Sequence, residues 1–412
     1  MTAHSTGKAS AGLSRPSSEL PNRLPLLMVL AGLSGASPLA TDMYVPALPD
    51  LARSLSTDVS GAQMSLTGFL AGIIVGQLVL GPLSDAVGRR PVLLGGSVLF
   101  AAFSTVCALA PTVEVLIAAR VGQGIAGAAG IVVSRAVVAD LFDDRELPSV
   151  FSRLGAITAA APVLAPLAGG ALLLAVSWRY VFAVLALMGV LLALGVWHWI
   201  PESHPPHVRL TGGLAASLRT IGQVAAQRAV LTPVLALACG GAAVFAYIAG
   251  TTFLFQDIYR LSPALSSLVY GVNAVGNMAG SLAYGRLAKR RPPEDLLIIS
   301  GALAATGVAA LLLIQATTGS TMPMTWLCLL ITISACGIFF PAVITVAQSR
   351  GRAAPGATSA LLGGGQFLFG AAVSPLAGLF GTQSPAPMAV VMTSCLALGT
   401  LAAIATKRAH AS

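Results

Sequence analysis

The stretch GASPLATDMYVPALPD, residues 35 to 50, carries a carboxylate, Asp42, at the end of an apolar run where aliphatic side chains prevail. A carboxylate in such a place has two uses. It can load and release a proton, because loss of water favours its neutral form while a neighbouring cation favours its charged form. It can also stay fixed and cap a helix end broken between Pro38, Pro46 and Pro49. Arg120, in LIAARVGQGIAGA (116 to 128), poses the matching problem. Its guanidinium stays charged, so it costs about 2.5 to 3.5 kcal/mol at the centre of a membrane helix and requires a partner or water. Counted along antiparallel helices from Val113 and Pro25, Arg120 lies roughly 10 Å and Asp42 roughly 26 Å from the start, which brings both into the outer half of the bilayer. Asp42 and Arg120 are therefore the expected proton-coupling pair. Glu114 is expected at a solvated mouth, and the remaining acids fall in tails, loops and helix ends.

The elements that must carry this pair follow from composition. Of 412 residues, 56% are hydrophobic and only 9% charged, with mean hydropathy +0.86, whereas a soluble domain has about 25% charged residues. Apolar windows of about 20 residues, enough to cross ~30 Å of hydrocarbon, recur along the chain. Twelve are read: 25–48, 63–83, 92–111, 113–134, 150–174, 180–200, 230–251, 264–284, 296–315, 324–347, 357–380 and 388–405. They lack the alternation of barrel strands, and lipid leaves backbone groups no partner outside the chain, so the expected class is an all-α integral membrane protein.

Charge sets the expected orientation. With both termini cytoplasmic, nineteen of the 23 Lys and Arg fall inside, Arg53, Arg179 and Arg260 outside, and Arg120 within a span, as the positive-inside rule requires. The net charge of +9 is thereby spread over loops that touch the lipid bilayer, which argues against nucleic acid as a partner. Residues 1–23 and 406–412 read as cytoplasmic tails, the first disordered. The apolar run after the first tail lacks a cleavage site and reads as a retained first span. Cys107, Cys239, Cys328, Cys336 and Cys395 are scattered through apolar spans, so neither disulfides nor a metal site is expected. No nucleotide loop or catalytic spacing is present, and neither an enzyme nor a cofactor is expected.

The chain repeats. GPLSDAVGRRP (81–91) and GRLAKRRP (285–292) each follow the second span of a set of six, and APLAG (165–169) is echoed by SPLAG (374–378). Two six-helix halves, 24–200 and 230–405, joined by a basic, loosely patterned linker at 201–229, are expected to enclose a site near the midplane.

Four motifs, GPLSDAVGRRP, LIAARVGQGIAGA, APVLAPLAGG (161–170) and TDMYVPALP (41–49), together resemble the major facilitator superfamily over nearly the whole length. The resemblance is strongest to its Bcr/CflA drug:proton antiporters, the bicyclomycin and chloramphenicol resistance group. It implies the major facilitator fold, no cofactor, and a conformational latch formed by Gly81, Asp85, Gly88, Arg89 and Arg90. In that latch Asp85 is expected to face the start of the eleventh span near Pro355, where a helix N-terminus favours negative charge. It also implies a hinge in the fifth span at Gly155, Pro162, Pro166, Gly169 and Gly170, which should be kinked and tightly packed. Three positions depart from the family pattern: Ala86 replaces a basic residue, Ala165 a glycine, and Ser34 an acid found in some relatives. A topology-setting loop and ordinary small-residue packing stand as alternatives for these two motifs.

Tyr44, Gln123, Tyr247, Phe245, Asn273, Asn277 and Phe339 are the expected substrate contacts, with Gln77, Gln366 and Phe340 as further members, although each also suits interhelical packing. Their mostly uncharged character favours bulky amphiphilic compounds over phosphates or acidic sugars. The expected function is proton-coupled efflux of small drug-like molecules by a monomer in the bacterial cytoplasmic membrane. Uptake of a metabolite by the same fold, or a non-transporting sensor, is the alternative.

Overall fold

The computed structural model describes residues 23–142, 147–205, 213–317, 319, 321–351, 355–373, 376 and 384–411. Its elements are helical: α1 (Arg23–Asp42), α2 (Leu48–Ser54), α3 (Val59–Val87), α4 (Arg89–Leu109), α5 (Val113–Leu141), α6 (Leu147–Leu172) and α7 (Arg179–Trp199) form the first half. A short helix, α8 (Gly213–Ala225), lies in the linker. The second half contains α9 (Arg228–Phe253), α10 (Pro263–Leu287), α11 (Pro293–Thr317), α12 (Met322–Arg350), α13 (Pro355–Val373) and α14 (Ala386–Ala411). Taking α1 with α2 as one broken crossing, these give twelve crossings. Each falls on an expected window.

Lipid as solvent explains the distribution of side chains. On α7, Leu187, Leu191 and Leu194 are each more than half exposed, whereas Phe182, Leu185, Gly189 and Val196 are buried. Spacings of three and four put each set on one face of the helix. In water an exposed leucine face would be costly; against acyl chains it is not.

The two halves repeat the same packing. In the first, α3 packs on α5, α4 on α5 and α7, and α1 on α6. Six crossings later, α10 packs on α12, α11 on α12 and α14, and α9 on α13. The principal contacts between halves, α6 with α10 and α3 with α13, exchange under the same correspondence. The internal repeat of the sequence is thus a repeat of structure. The two ends of the bundle are called outer and inner below, after the charge bias.

Local signals set the ends. Asp58 Oδ1 accepts from Gly61 N at 2.7 Å to start α3, and Ser262 Oγ accepts from Leu265 N at 3.3 Å to start α10. Gly88, at φ 111°, makes the turn from α3 into α4, a conformation costly for any other residue. Three boundaries differ from expectation. The first crossing stops at Asp42 and resumes through a 3₁₀ turn, Val45–Ala47, into α2, because Pro46 and Pro49 each lack a backbone donor. The linker, expected to be loose, contains α8, which packs on α3, α9 and α13 and so touches both halves at the inner end. The segment 406–411 continues α14 rather than forming a tail.

Candidate proton and substrate site

Asp42 is the last residue of α1 and is only 5% exposed. Three features hold its backbone. Arg120 Nη1 donates to the Ala40 carbonyl at 3.1 Å, Thr41 Oγ1 donates to the Ser37 carbonyl at 2.9 Å, and Gly169 of α6 abuts the Met43 carbonyl so closely that a Cβ there would overlap it. The carboxylate lies near Tyr270 of α10, in the other half.

Tyr270 sits on a fixed platform. Its ring stacks on Tyr247 of α9 at 5.5 Å with 22° between planes. Tyr247 Oη accepts from Asn273 Nδ2 at 2.9 Å, and Asn273 Oδ1 accepts from Trp326 Nε1 at 3.0 Å. A carboxylate of the first half thereby lies near a stacked and hydrogen-bonded group that ties α9, α10 and α12 together. Buried polar groups require such partners, and a satisfied network holds its members in place.

Arg120 corrects the expected pairing. Among the described residues no ion pair joins it to Asp42. Its side chain is fully buried inside the first half, where Nη1 also donates to Gln123 Oε1 at 2.7 Å and Nε to the Ser65 carbonyl at 3.4 Å. The guanidinium carbon lies 4.1 Å from the Phe69 ring centre, 4.5 Å from Tyr44 and 5.7 Å from Phe182. Backbone oxygens and aromatic faces thus solvate the charge. Equal depth along two helices brought Arg120 to the backbone beside Asp42; the rotation of α5 about its axis turned it away from the carboxylate.

The expected substrate contacts divide. Tyr44, fully buried, shares a hydrogen bond with Ser65 Oγ at 2.9 Å and covers Arg120; Gln123 bridges Arg120 and Ser104 at 2.7 Å. Both are therefore packing and bonding residues of the first half in this conformation. Phe339 is 1% exposed against Gly240 and Gly301, and Asn277 donates to the Ile333 carbonyl at 3.0 Å, so these belong to the interior of the second half. Tyr247 and Asn273 bond each other beside Tyr270. Phe245 lies 5.9 Å from Phe367, between α9 and α13, and Phe340 stands edge-on to Phe339 at 5.9 Å. Gln77 approaches Gly363 across the halves, while Gln366 abuts Gly241 within the second half.

In α6, Gly169 meets Met43 of its own half, and Gly170 meets Ser267 and the Pro263 carbonyl of α10. The glycine pair lets α6 wedge between the Asp42 segment and the second half. Pro166 is buried in the same helix, which runs unbroken from Leu147 to Leu172; the surroundings of Gly155 and Pro162 lie outside the described residues.

At the inner end, Arg89 bonds Asp85 Oδ1 at 2.5 Å, Asp140 Oδ2 at 3.2 Å and Ser84 Oγ at 2.6 Å. Glu202 accepts from the backbone N–H groups of Arg89 and Arg90 at 2.9 and 3.3 Å, which places a carboxylate at the start of α4. Arg90 donates to the Trp197 carbonyl at 2.6 Å, and Gly81 lies where α3 approaches Val132. This cluster joins the first half to the start of the linker at Glu202. Residues 352–354, just before Pro355, lie outside the described residues, and Asp85 bonds no described residue of α13. Sequence reasoning missed Tyr270, Trp326, Asp140 and Glu202. Tyr270 had a usable signal, standing three residues before Asn273 on the same helix face.

Two bundles of six helices with one repeated packing scheme, enclosing a buried carboxylate at their junction, define a multi-pass membrane transporter fold. The chain belongs to the Major Facilitator Superfamily, whose profile matches residues 30–375. It is 38% identical over 384 residues to the "Uncharacterized MFS-type transporter YdgK" of Bacillus subtilis (strain 168), covering 92% of this chain and 94% of that one. It is 28% identical over 385 residues to a "Bicyclomycin resistance protein homolog" of Haemophilus influenzae, covering 91% and 94%. Over 183 residues it is 36% identical to a "Chloramphenicol resistance protein" of Pseudomonas aeruginosa, covering 44% of each. Among solved structures, the xylose transporter XylE from E. coli superposes with a TM-score of 0.71 at 16% identity over 92% of this chain and 96% of that one, a likeness of fold alone. The family is one of transporters rather than enzymes, and its relatives include proteins named for drug resistance.

Proposed function

We propose that this protein exports small amphiphilic drug-like compounds across the bacterial cytoplasmic membrane in exchange for protons, in the manner of the Bcr/CflA group, with both termini cytoplasmic. The observation that carries this reading is Asp42, a buried carboxylate at the break in α1, near Tyr270 of the second half. A carboxylate kept from water at a junction between two moving bodies gains and loses its proton as the junction opens to one side or the other. The names of the bicyclomycin and chloramphenicol resistance relatives support the substrate class. The uncharged aromatic and amide surroundings, Tyr247, Tyr270, Asn273 and Phe245, suit apolar rings with few polar groups. Asp42 is the proton carrier in this reading, Arg120 the residue that positions it, and the monomer the working unit.

The test is accumulation of a panel of antibiotics and dyes in cells with and without the protein, each with and without an uncoupler. Lower accumulation that vanishes with the uncoupler supports gradient-driven export. Higher accumulation in cells carrying the protein overturns it in favour of uptake.

A further inference from the structure

The repeated turn at the inner end has diverged between the halves. In GPLSDAVGRRP both arginines are engaged inside the protein: Arg89 with Asp85, Asp140 and Ser84, and Arg90 with the Trp197 carbonyl and, at 5.6 Å, the Trp197 ring. GRLAKRRP contains no acid, and its four cations, Arg286, Lys289, Arg290 and Arg291, are all exposed. None of the four side chains makes an ion pair or hydrogen bond with a described residue. The next acids along the chain are taken: Glu294 pairs with Arg350 at 3.7 Å and Asp295 with Lys407 at 2.6 Å. The turn itself is fixed, since Arg290 N and Arg291 N both donate to the Leu287 carbonyl at 2.9 Å and Tyr284 Oη donates to Thr345 Oγ1 of α12 at 2.9 Å. Four like charges are thus gathered in one place without a counter-charge from the protein, an arrangement that favours an anion.

The helix that ends at these cations also carries an apolar track. Leu268, Val272, Val275, Ala279, Leu282 and Arg286 are exposed and follow one another at spacings of three and four, which makes one continuous stripe along α10. Tyr270, Asn273 and Gly280, on the other side of the helix, are buried. The stripe faces lipid rather than the space between the halves. At the outer end the halves are packed, with Gly170 of α6 on Ser267 and Thr67 Oγ1 donating to the Ala371 carbonyl at 3.1 Å, yet Leu268 beside Ser267 is 53% exposed. From Val275 to Arg286 the helix rises about 16 Å, half of the ~30 Å hydrocarbon thickness. An acyl chain of one leaflet laid on Val275, Ala279 and Leu282 therefore brings its headgroup to the level of Arg286.

We propose that the turn between α10 and α11 is a binding site for an anionic phospholipid of the cytoplasmic leaflet, its headgroup phosphate held by Arg286, Lys289, Arg290 and Arg291 and its acyl chain lying along Val275, Ala279 and Leu282. The inference rests on the reading that the inner end is cytoplasmic. Guanidinium forks match phosphate oxygens, and clustered cations at a membrane surface select an anionic headgroup over a zwitterionic one, whose own ammonium group opposes them. A soluble anion would answer the charge alone; the apolar stripe supplies the rest of the recognition. The equivalent turn of the first half offers no such cations, because Arg89 and Arg90 are already engaged. The helix so anchored is the one that carries Tyr270 and Asn273.

The test is native mass spectrometry of the full-length protein in detergent, titrated with dioleoyl phosphatidylglycerol or dioleoyl phosphatidylcholine, which share their chains and differ in headgroup charge. Phosphatidylglycerol should bind about tenfold more tightly or better, and Arg286→Gln alone should weaken it about fivefold, the factor for one cation at an anionic surface. Changing all four cations to Gln should leave the two lipids binding equally, with phosphatidylcholine unaffected. Arg219→Gln with Arg228→Gln removes two exposed cations outside the turn and should leave the selectivity intact. Ala279→Trp locates the chain and needs no change of charge: phosphatidylglycerol brominated on its acyl chains should quench it more than brominated phosphatidylcholine at equal mole fraction. Equal binding of the two lipids by wild type, selectivity that survives the four Gln changes, or equal quenching of Ala279→Trp overturns the site. Complete displacement of phosphatidylglycerol by millimolar inorganic phosphate overturns the lipid as its occupant. Labelling of Lys289→Cys from outside intact cells overturns the cytoplasmic reading of the inner end, a separate outcome that the binding measured in detergent does not depend on.

Discussion

Arg120 Nη1 reaches the carbonyl of Ala40 at 3.1 Å, two residues before Asp42, and no ion pair joins it to Asp42 itself. The buried cation therefore acts on the carboxylate through the backbone, by fixing where α1 stops. A carbonyl freed by the break in α1 gains a charged donor, and the cation gains an acceptor inside lipid.

Arg120→Ala should destabilise the first half, since it removes three hydrogen bonds from a charged donor and the rings of Phe69, Tyr44 and Phe182 then line a void. A loss on the order of 3 kcal/mol or more is expected. Arg120→Lys should rescue little, because an ammonium cannot reproduce the planar fork. Thermal unfolding in detergent measures both. Equal melting temperatures for wild type and Arg120→Lys would show that the fork geometry is unimportant.

Asp42→Asn mimics a carboxyl group that never ionises. Membrane insertion and substrate binding should persist while gradient-driven efflux is lost. Proton release on adding substrate to detergent-purified protein, measured in weak buffer, should disappear in the variant. Release that continues undiminished would leave Asp42 with only its place at the helix break.

Gly169 and Gly170 should respond differently to the same change. Gly170→Val pushes against Ser267 and the Pro263 carbonyl of the other half. It should open the outer end and raise labelling of a cysteine at Thr67 while leaving the melting temperature near that of wild type. Gly169→Val pushes against the Met43 carbonyl of its own half and should lower stability by about 1 to 3 kcal/mol, the usual cost of overpacking. Identical behaviour of the two variants would contradict the wedge geometry of α6.

At the inner end, Arg89→Ala should be more damaging than Asp85→Asn. Arg89 is the shared centre of bonds to Asp85, Asp140 and Ser84, whereas loss of the Asp85 charge leaves the other two in place. Glu202→Gln should weaken the start of α4 by roughly 0.5 to 2 kcal/mol. Transport rates and unfolding midpoints of the three variants, ranked side by side, test the order.

The twelve crossings were legible in the chain because lipid admits few solutions: a window of apolar residues long enough to span must be helical, and charge must gather at its ends. The internal repeat was legible for the same reason, since GPLSDAVGRRP and GRLAKRRP mark equivalent turns and α3 and α10 pack equivalently. Asp42 and Arg120 stood out because ionisable groups in such windows are rare and costly. The matching level of Arg120 and the end of α1 was recoverable too, for it needs only the rise per residue.

Rotation was not. Whether Asp42 met Arg120 or Tyr270 depends on how α1, α5 and α10 turn about their axes, and that is set by side chains brought together from residues far apart in sequence. The same holds for Phe339, whose apolar ring suits a cavity wall and a buried core equally until Gly240 and Gly301 are found against it. The helix at 213–225 escaped notice because it is short and lies in a linker rich in Gly and Pro; its packing on α3, α9 and α13 gives it a place that local propensity alone does not. The sequence by itself determined which segments are apolar spans and that Arg120 lies level with the end of α1, because lipid selects for length and hydropathy one segment at a time. Only the tertiary structure decided which charge faces which partner, because helix rotation is a property of the packed bundle and of no single segment within it.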